Sequence, residues 1–210
     1  MYLHHELREV CDYRQTEALE RINLLHSLMQ RSPGFVRSLA CRYLGSTSHY
    51  AWLRLWLTSA DHAAFRKTDA AAGFAATRPD GLYWQLPGGI APGGHWQSVL
   101  QSGVDGLGSY LIRFAFSVPI ENVEEFLASR KRHDELALLS PGILSIATFQ
   151  SEEESPARIY LSLMRTQGAQ AYRDFLEGEL GEAYRSGLRQ GCFETLASEC
   201  YEIITELVGK

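Results

Sequence analysis

Seven histidines are spread along the 210 residues: His4, His5, His26, His49, His62, His95 and His133. Unperturbed imidazole changes charge near neutral pH, so these are the first places to look for proton transfer or metal ligation. His4 and His5 are adjacent, and on a strand their rings point to opposite faces, so the pair cannot chelate one metal. His26 and His133 each precede a Ser-Pro-Gly triplet by six or seven residues, which gives them nearly equivalent places in two halves of the chain. Each borders an apolar stripe, so each reads either as a half-buried packing residue or as a base that takes a proton from a phenol or an enol. His26 and His5 are the candidate general bases, and His133 is a candidate substrate contact. No metal set is assigned. His5, His26 and Glu9, which shares the strand face of His5, are the residues to consider if a metal is found.

Tyr50, Trp52, Trp56 and Phe65 make the first half aromatic. They read either as core or as a flat slot for an aromatic ligand, in which Trp52, Trp56 and Phe65 would touch the substrate. Arg54 lies between the two tryptophans on one strand face, and burial there requires a partner such as Glu6. Arg78 and Arg185 each stand near the end of a helical stretch. They read as surface charges suited to a helix C-terminus or as holders of a substrate anion. Phe175 is the aromatic candidate of the second half. There is no G-x-S-x-G elbow, no H-E-x-x-H and no phosphate-binding loop in PGGIAPGG. Cys11, Cys41, Cys192 and Cys200 form no CxxC pair and read as reduced structural thiols.

The elements that must position these groups repeat. Ser32-Pro33-Gly34 and Ser140-Pro141-Gly142 stand 140 − 32 = 108 residues apart, and each is followed by an alternating apolar run. In the first half, strands are expected over 2–10, 35–43, 50–57 and 82–86, with helices over 14–30 and from Ser59 or Asp61 to about Ala76. Ala18, Ile22, Leu25 and Met29 form the apolar stripe of the first helix. From Ser109 the order restarts, with strands over 110–118, 143–149, 158–164 and 198–208, and helices over 119–138 and 168–188. The order β-α-β-β-α-β, twice, is ferredoxin-like. The expected fold class is therefore α+β: two tandem ferredoxin-like repeats, 1–86 and 109–210, packing sheet to sheet as an intramolecular pseudo-dimeric α/β barrel. Residues 87–108 read as an ordered Gly/Pro-rich crossover, because Trp96, Val99 and Leu100 are costly to leave in water.

Composition bounds the partners. Apolar residues make up 45% and charged residues 21%, with a net charge of −5, so no general basic field favours nucleic acid or an anionic membrane. No stretch has the length and apolarity of a membrane helix, and the N-terminus lacks a signal-peptide pattern. A cytoplasmic protein with a small-molecule substrate is expected, as a monomer with an internal pseudo-dimer or a homodimer of it.

The stretch SPGFVRSLACRYLGSTSHYAWLRLWLTSADHAAFRKTDAAAGFAA resembles the dimeric α/β-barrel superfamily, in particular the antibiotic biosynthesis monooxygenases and their heme-degrading relatives. Gly34-Phe35, Trp56-Leu57-Thr58-Ser59 and Ala64-Phe65 carry the resemblance. The second repeat keeps Gly142 and Ala171-Tyr172, with Met164 in the place of the tryptophan. The resemblance implies a small oxygenase of secondary metabolism that oxidises an aromatic or enolisable metabolite with O2, in some members without flavin or metal. The heme-degrading branch implies an Asn at Leu7 or Ala115, a Trp at Thr68 or Phe175, and an iron-ligating His at Arg78 or Arg185, and none of those residue types is present. Cofactor use stays open: none, or heme or iron bound in another way. The alternative reading is a non-redox ligand-binding or accessory barrel.

Overall fold

The computed structural model describes residues 1–77, 79–85, 94–103, 108–153, 155–186 and 191–209. The chain is an α+β protein with two compact units, Met1–His95 with Ile203–Lys210, and Trp96–Glu202. In the first unit the elements are β1 (Tyr2–Val10), α1 (Gln15–Met29), β2 (Phe35–Tyr43), β3 (His49–Trp56), α2 (Ser59–Arg66), α3 (Asp69–Ala76) and β4 (Tyr83–Gln85). Their antiparallel order is β4-β1-β3-β2, the ferredoxin-like arrangement. β5 (Gly94–Gly103) begins in this unit and continues into the second.

The second unit contains β6 (Tyr110–Pro119), α4 (Val123–Ala137), β7 (Ile143–Ser151), β8 (Ala157–Thr166), α5 (Ala171–Glu177), α6 (Glu179–Ser186) and the start of β9 (Glu194–Val208). β9-β6-β8-β7 repeats the same order, and β5 adds to β7. The last residues of β9 belong to the first unit, where Gly209 N donates to Val36 O at 2.8 Å.

Three expectations need correction. Each long second helix is two short ones. In the first unit the break is at Lys67-Thr68, where the Thr68 hydroxyl caps α3 through the Ala71 amide; in the second it is at Gly178. The cap of α2 is Thr58 rather than Ser59 or Asp61: its hydroxyl accepts from the Asp61 amide while the Asp61 carboxylate accepts from the Thr58 amide. Within the expected crossover, 94–103 is regular strand. Trp96 is buried there and Val99 is exposed; 87–93 and 104–107 lie outside the described residues.

The triplet recurs because its glycine adopts a left-handed backbone twice, with φ of 74° at Gly34 and 84° at Gly142. Each glycine then accepts a bond from the end of the following hairpin: Leu57 N to Gly34 O at 2.7 Å, and Gln167 N to Gly142 O at 2.8 Å. These bonds show that the second hairpin is two residues longer, since 167 − 57 = 110 against 142 − 34 = 108. A slip of two preserves the face of every side chain. It moves the equivalences, so Thr166 stands where Trp56 does and Met164 where Arg54 does. A Cβ at Gly34 would also collide with the Asp61 carboxylate. Gly34→Ala is expected to destabilise the protein by about 1–3 kcal/mol, read as a lowered denaturant midpoint.

Candidate functional site

β1 and β3 pair with His4 opposite Arg54 and Glu6 opposite Trp52. In an antiparallel pair, opposite residues share a face, so His4, Glu6 and Arg8 of β1 line up with Trp52 and Arg54 of β3. This is the face covered by α1, α2 and α3, and a cavity of about 430 Å³ lies there. Ile22 and Leu25 of α1, His62, Phe65 and Arg66 of α2, Phe74 of α3 and Tyr83 of β4 complete its wall.

The polar side is one connected row. Arg54 donates through Nη2 to Glu6 Oε2 at 3.1 Å and through Nη1 to His4 Nδ1 at 3.0 Å. Arg8 Nη2 lies 3.1 Å from Glu6 Oε1, and its guanidinium stands over Trp52 and Tyr83 at 5.9 and 5.3 Å. Burial would raise the Glu6 carboxyl, but Arg54, His4 and Arg8 outweigh it and hold it down at about 2. Burial, then Arg54, lowers His4 to about 3; burial, then Arg54 and Arg66, lowers His62 to about 4. Both rings are therefore neutral at pH 7.

The two histidines differ in what their nitrogens can do. An arginine N–H can only donate, so His4 Nδ1 accepts and its lone pair is used. The His62 ring stacks on His4 at 4.8 Å between centroids, lines the cavity and makes no side-chain hydrogen bond among the described residues. Its neutral ring keeps a free lone pair at the cavity wall. Among the described residues, four arginines (Arg8, Arg21, Arg54, Arg66) and one carboxylate (Glu6) line the cavity, so its field is positive.

The cavity gathers some of the expected residues and leaves out others. Trp52 and Phe65 line it. The expected Arg54–Glu6 pair is present. Trp56 is fully buried and packs on Phe35, His62 and Phe65, outside the cavity-lining set. His5 lies opposite Leu53, so its parity puts it, with Leu7 and Glu9, on the other face of β1. His26 is buried, with Nε2 2.7 Å from Ser38 Oγ, and that hydroxyl donates to Leu53 O at 3.2 Å. It ties α1 to the sheet and is not in the cavity wall; burial, then Arg54, lowers it to about 4. His5, His26 and Glu9 do not converge, and no group of three potential metal ligands occurs among the described residues. Arg78 lies outside the described residues.

In the second unit, α4 sets Asp134 where α1 has His26, and His133 where α1 has Leu25. His133 Nδ1 lies 3.0 Å from Asp134 Oδ1, which also accepts from Arg130 at 3.1 Å; Arg130 continues to Ser162 at 3.0 Å. His133 is packed among Tyr172, Phe175 and Tyr184, and burial, then Arg130, lowers it to about 4. Ile112, Phe114, Phe116 and Met164 stand in the places of His4, Glu6, Arg8 and Arg54, and with Phe126 and Phe175 they belong to one hydrophobic core cluster. His133 and Phe175 are core residues. Arg185 is exposed at the end of α6 and donates to Leu176 O.

His4, His62, Arg8, Arg66 and Tyr83 were not singled out from the sequence as site residues. The available signal was the even-numbered alternation His4-Glu6-Arg8 opposite Trp52-Arg54. Polar residues at every second position of a strand otherwise buried are a cavity face, and the choice of parity needed the β1–β3 register.

This fold defines a class: α+β chains of ferredoxin-like units, shared with ferredoxin-fold proteins related to antibiotic biosynthesis monooxygenases. No family model matches the sequence, and no curated protein does. Solved structures match over nearly the whole chain. A Fusobacterium nucleatum protein provisionally named a monooxygenase has a TM-score of 0.76 at 11% identity, covering 99% of this chain and 94% of that one. An anthrone oxidase-like protein has a TM-score of 0.60 at 12% identity, covering 99% and 93%. A heme-degrading enzyme from Listeria monocytogenes has a TM-score of 0.53 at 10% identity, covering 96% and 99%. At these identities the likeness is one of fold.

The four depressed histidines make stability depend on pH. Each takes a proton near its ordinary 6.5 when unfolded, but only near 3 (His4) or 4 (His26, His62, His133) when folded. The unfolded chain therefore binds more protons between these values, and stability falls as pH drops from 6.5 towards 4. The thermal midpoint measured across this window should fall on acidification, and His26→Gln should make the slope shallower.

Proposed function

We propose that the chain is a monooxygenase of the antibiotic-biosynthesis type that oxidises a small aromatic or enolisable metabolite with O2. The observation that carries this reading is the first-unit cavity, which joins aromatic walls, a positive field and one neutral imidazole with an uncommitted lone pair. The fold likeness to an anthrone oxidase-like protein and to monooxygenase-named structures supports it. A soluble cytoplasmic enzyme of secondary metabolism fits the same reading.

The chemistry follows from the charges. His62 takes the proton of an activated C–H or phenolic O–H, and Arg54 and Arg66 stabilise the resulting anion. An electron-rich anion passes one electron to O2, and the two radicals combine at carbon to give a hydroperoxide. The protonated His62 returns its proton to the peroxide. Loss of water then converts a CH2 group to C=O, with one oxygen atom in the product and one in water. Conversion of CH2 to C=O releases four electrons, which reduce both oxygen atoms of O2, so no external reductant is needed. Ile22, Leu25, Phe65 and Phe74 give the anion an apolar wall on one side.

Heme held as in the heme-degrading relatives does not fit these residues. The ligand position implied by the resemblance is Arg185 in the second unit, a guanidinium bonded to a carbonyl with no lone pair for iron. Its counterpart Arg78 lies outside the described residues.

An oxygen electrode with anthrone-type and hydroxynaphthalene substrates tests the reading. Uptake is expected with the native chain, with kcat lowered about 100-fold or more in His62→Gln and KM little changed. His26→Gln and His133→Gln should retain turnover once folded. Substrates that bind without oxygen uptake would leave a ligand-binding protein instead.

A further inference from the structure

Four side-chain nitrogens of the cavity wall are buried and have no hydrogen-bond partner among the described residues: Arg8 Nε, Arg21 Nε, Trp52 Nε1 and Arg54 Nε. All four are donors. No unpartnered buried acceptor belongs to the cavity wall among the described residues. Trp52 is 5% exposed and Arg54 is 8% exposed, so neither group is satisfied from the protein surface. Buried N–H groups in folded proteins nearly always have an acceptor, and a set left open in one cavity calls for acceptors from a ligand. Glu6 does not supply them: its oxygens meet the Nη2 atoms of Arg54 and Arg8, and the four N–H groups remain unpartnered among the described residues. Arg66, at an exposed position of α2, also lines the cavity. The second unit lacks this arrangement, since Ile112, Phe114, Phe116 and Met164 occupy the matching places.

We infer that the first-unit cavity binds a flat aromatic oxyanion through its charged oxygens. The arginines and the Trp52 indole N–H receive the oxygens, and the Trp52, Phe65 and Tyr83 rings pack against the ring of the ligand. A carboxylate and a phenolate share this chemistry. The inference rests on the proposed function only for the identity of the cavity as the substrate site. Unlike that reading, it requires no turnover. Charge-assisted bonds to an oxyanion are stronger than those to a neutral acceptor, so the cavity should discriminate an acid from its ester of the same shape.

Anaerobic titration calorimetry of the full chain tests this, with benzoate, 2-naphthoate and anthracene-2-carboxylate against their methyl esters, and 4-nitrophenolate against 4-nitroanisole. At least one anion is expected to bind at one site per chain, about 10-fold or more tighter than its neutral partner. A tighter carboxylate marks an acid as the natural ligand, and a tighter nitrophenolate marks a phenol. Arg66→Gln, at an exposed position that should not perturb folding, is expected to weaken the anion about 5-fold or more while leaving the neutral partner unchanged. Trp52→Phe keeps an aromatic ring, removes one N–H, and should do the same. Arg185→Gln should change nothing. Esters binding as tightly as acids, equal losses for acid and ester in the variants, or no heat from any compound would each overturn the inference. Anion binding without oxygen uptake would preserve it and remove the monooxygenase reading. Oxygen uptake with no preference for anions would do the reverse.

Discussion

The Glu6 carboxylate, held between Arg54 and Arg8 at 3.1 Å on each side, is the interaction on which the first unit depends. A buried charge without a partner costs several kcal/mol, and here one carboxylate neutralises part of two guanidinium groups at once. Arg54 then reaches His4 with its second terminal nitrogen, and the His4 ring carries His62 stacked upon it. A single row of contacts thus fixes the tautomer of one histidine, the placement of another and the sign of the cavity field. The surplus positive charge stays inside the unit because the helical cover supplies no further carboxylate to the cavity wall among the described residues.

The two units show what that row replaces. They have the same element order and the same glycine-to-hairpin bond, yet the matching face is charged along a cavity in one and apolar in the other. The difference lies in a handful of equivalent positions. Ala18 of α1 corresponds to Phe126 of α4, and the polar residues of β1 correspond to Ile112, Phe114 and Phe116. Large apolar side chains occupy these places in the second unit, while small and charged ones line the cavity of the first. Arg130, His133 and Asp134 of α4 instead bond within that core: Asp134 Oδ1 meets both Arg130 and His133, and Arg130 reaches Ser162 of β8.

The sequence by itself determined most of the fold. Hydrophobic alternation placed the strands, the apolar stripe placed α1, and the repeated Ser-Pro-Gly marked the helix ends, since proline stops a helix and glycine tolerates the left-handed turn that follows. These are local effects, and they survive without knowledge of what packs against what. The Arg54–Glu6 pair was also legible, because a buried arginine between two tryptophans requires a carboxylate.

Only the tertiary structure decided which histidines meet the cavity. Adjacent strand residues point to opposite faces, so choosing His4 over His5 required the register of β1 on β3, which pairs His4 with Arg54. His26 had the right residue type on the right helix, but Ser38 of β2 engages its ring in the packed interface. His62 was one of seven histidines until the break between α2 and α3 and the stacking on His4 set it at the cavity wall. A strand's alternation fixes the set of residues that share a face. Which face becomes a site depends on non-local pairing and on the helices that cover it, and no short stretch of sequence encodes either.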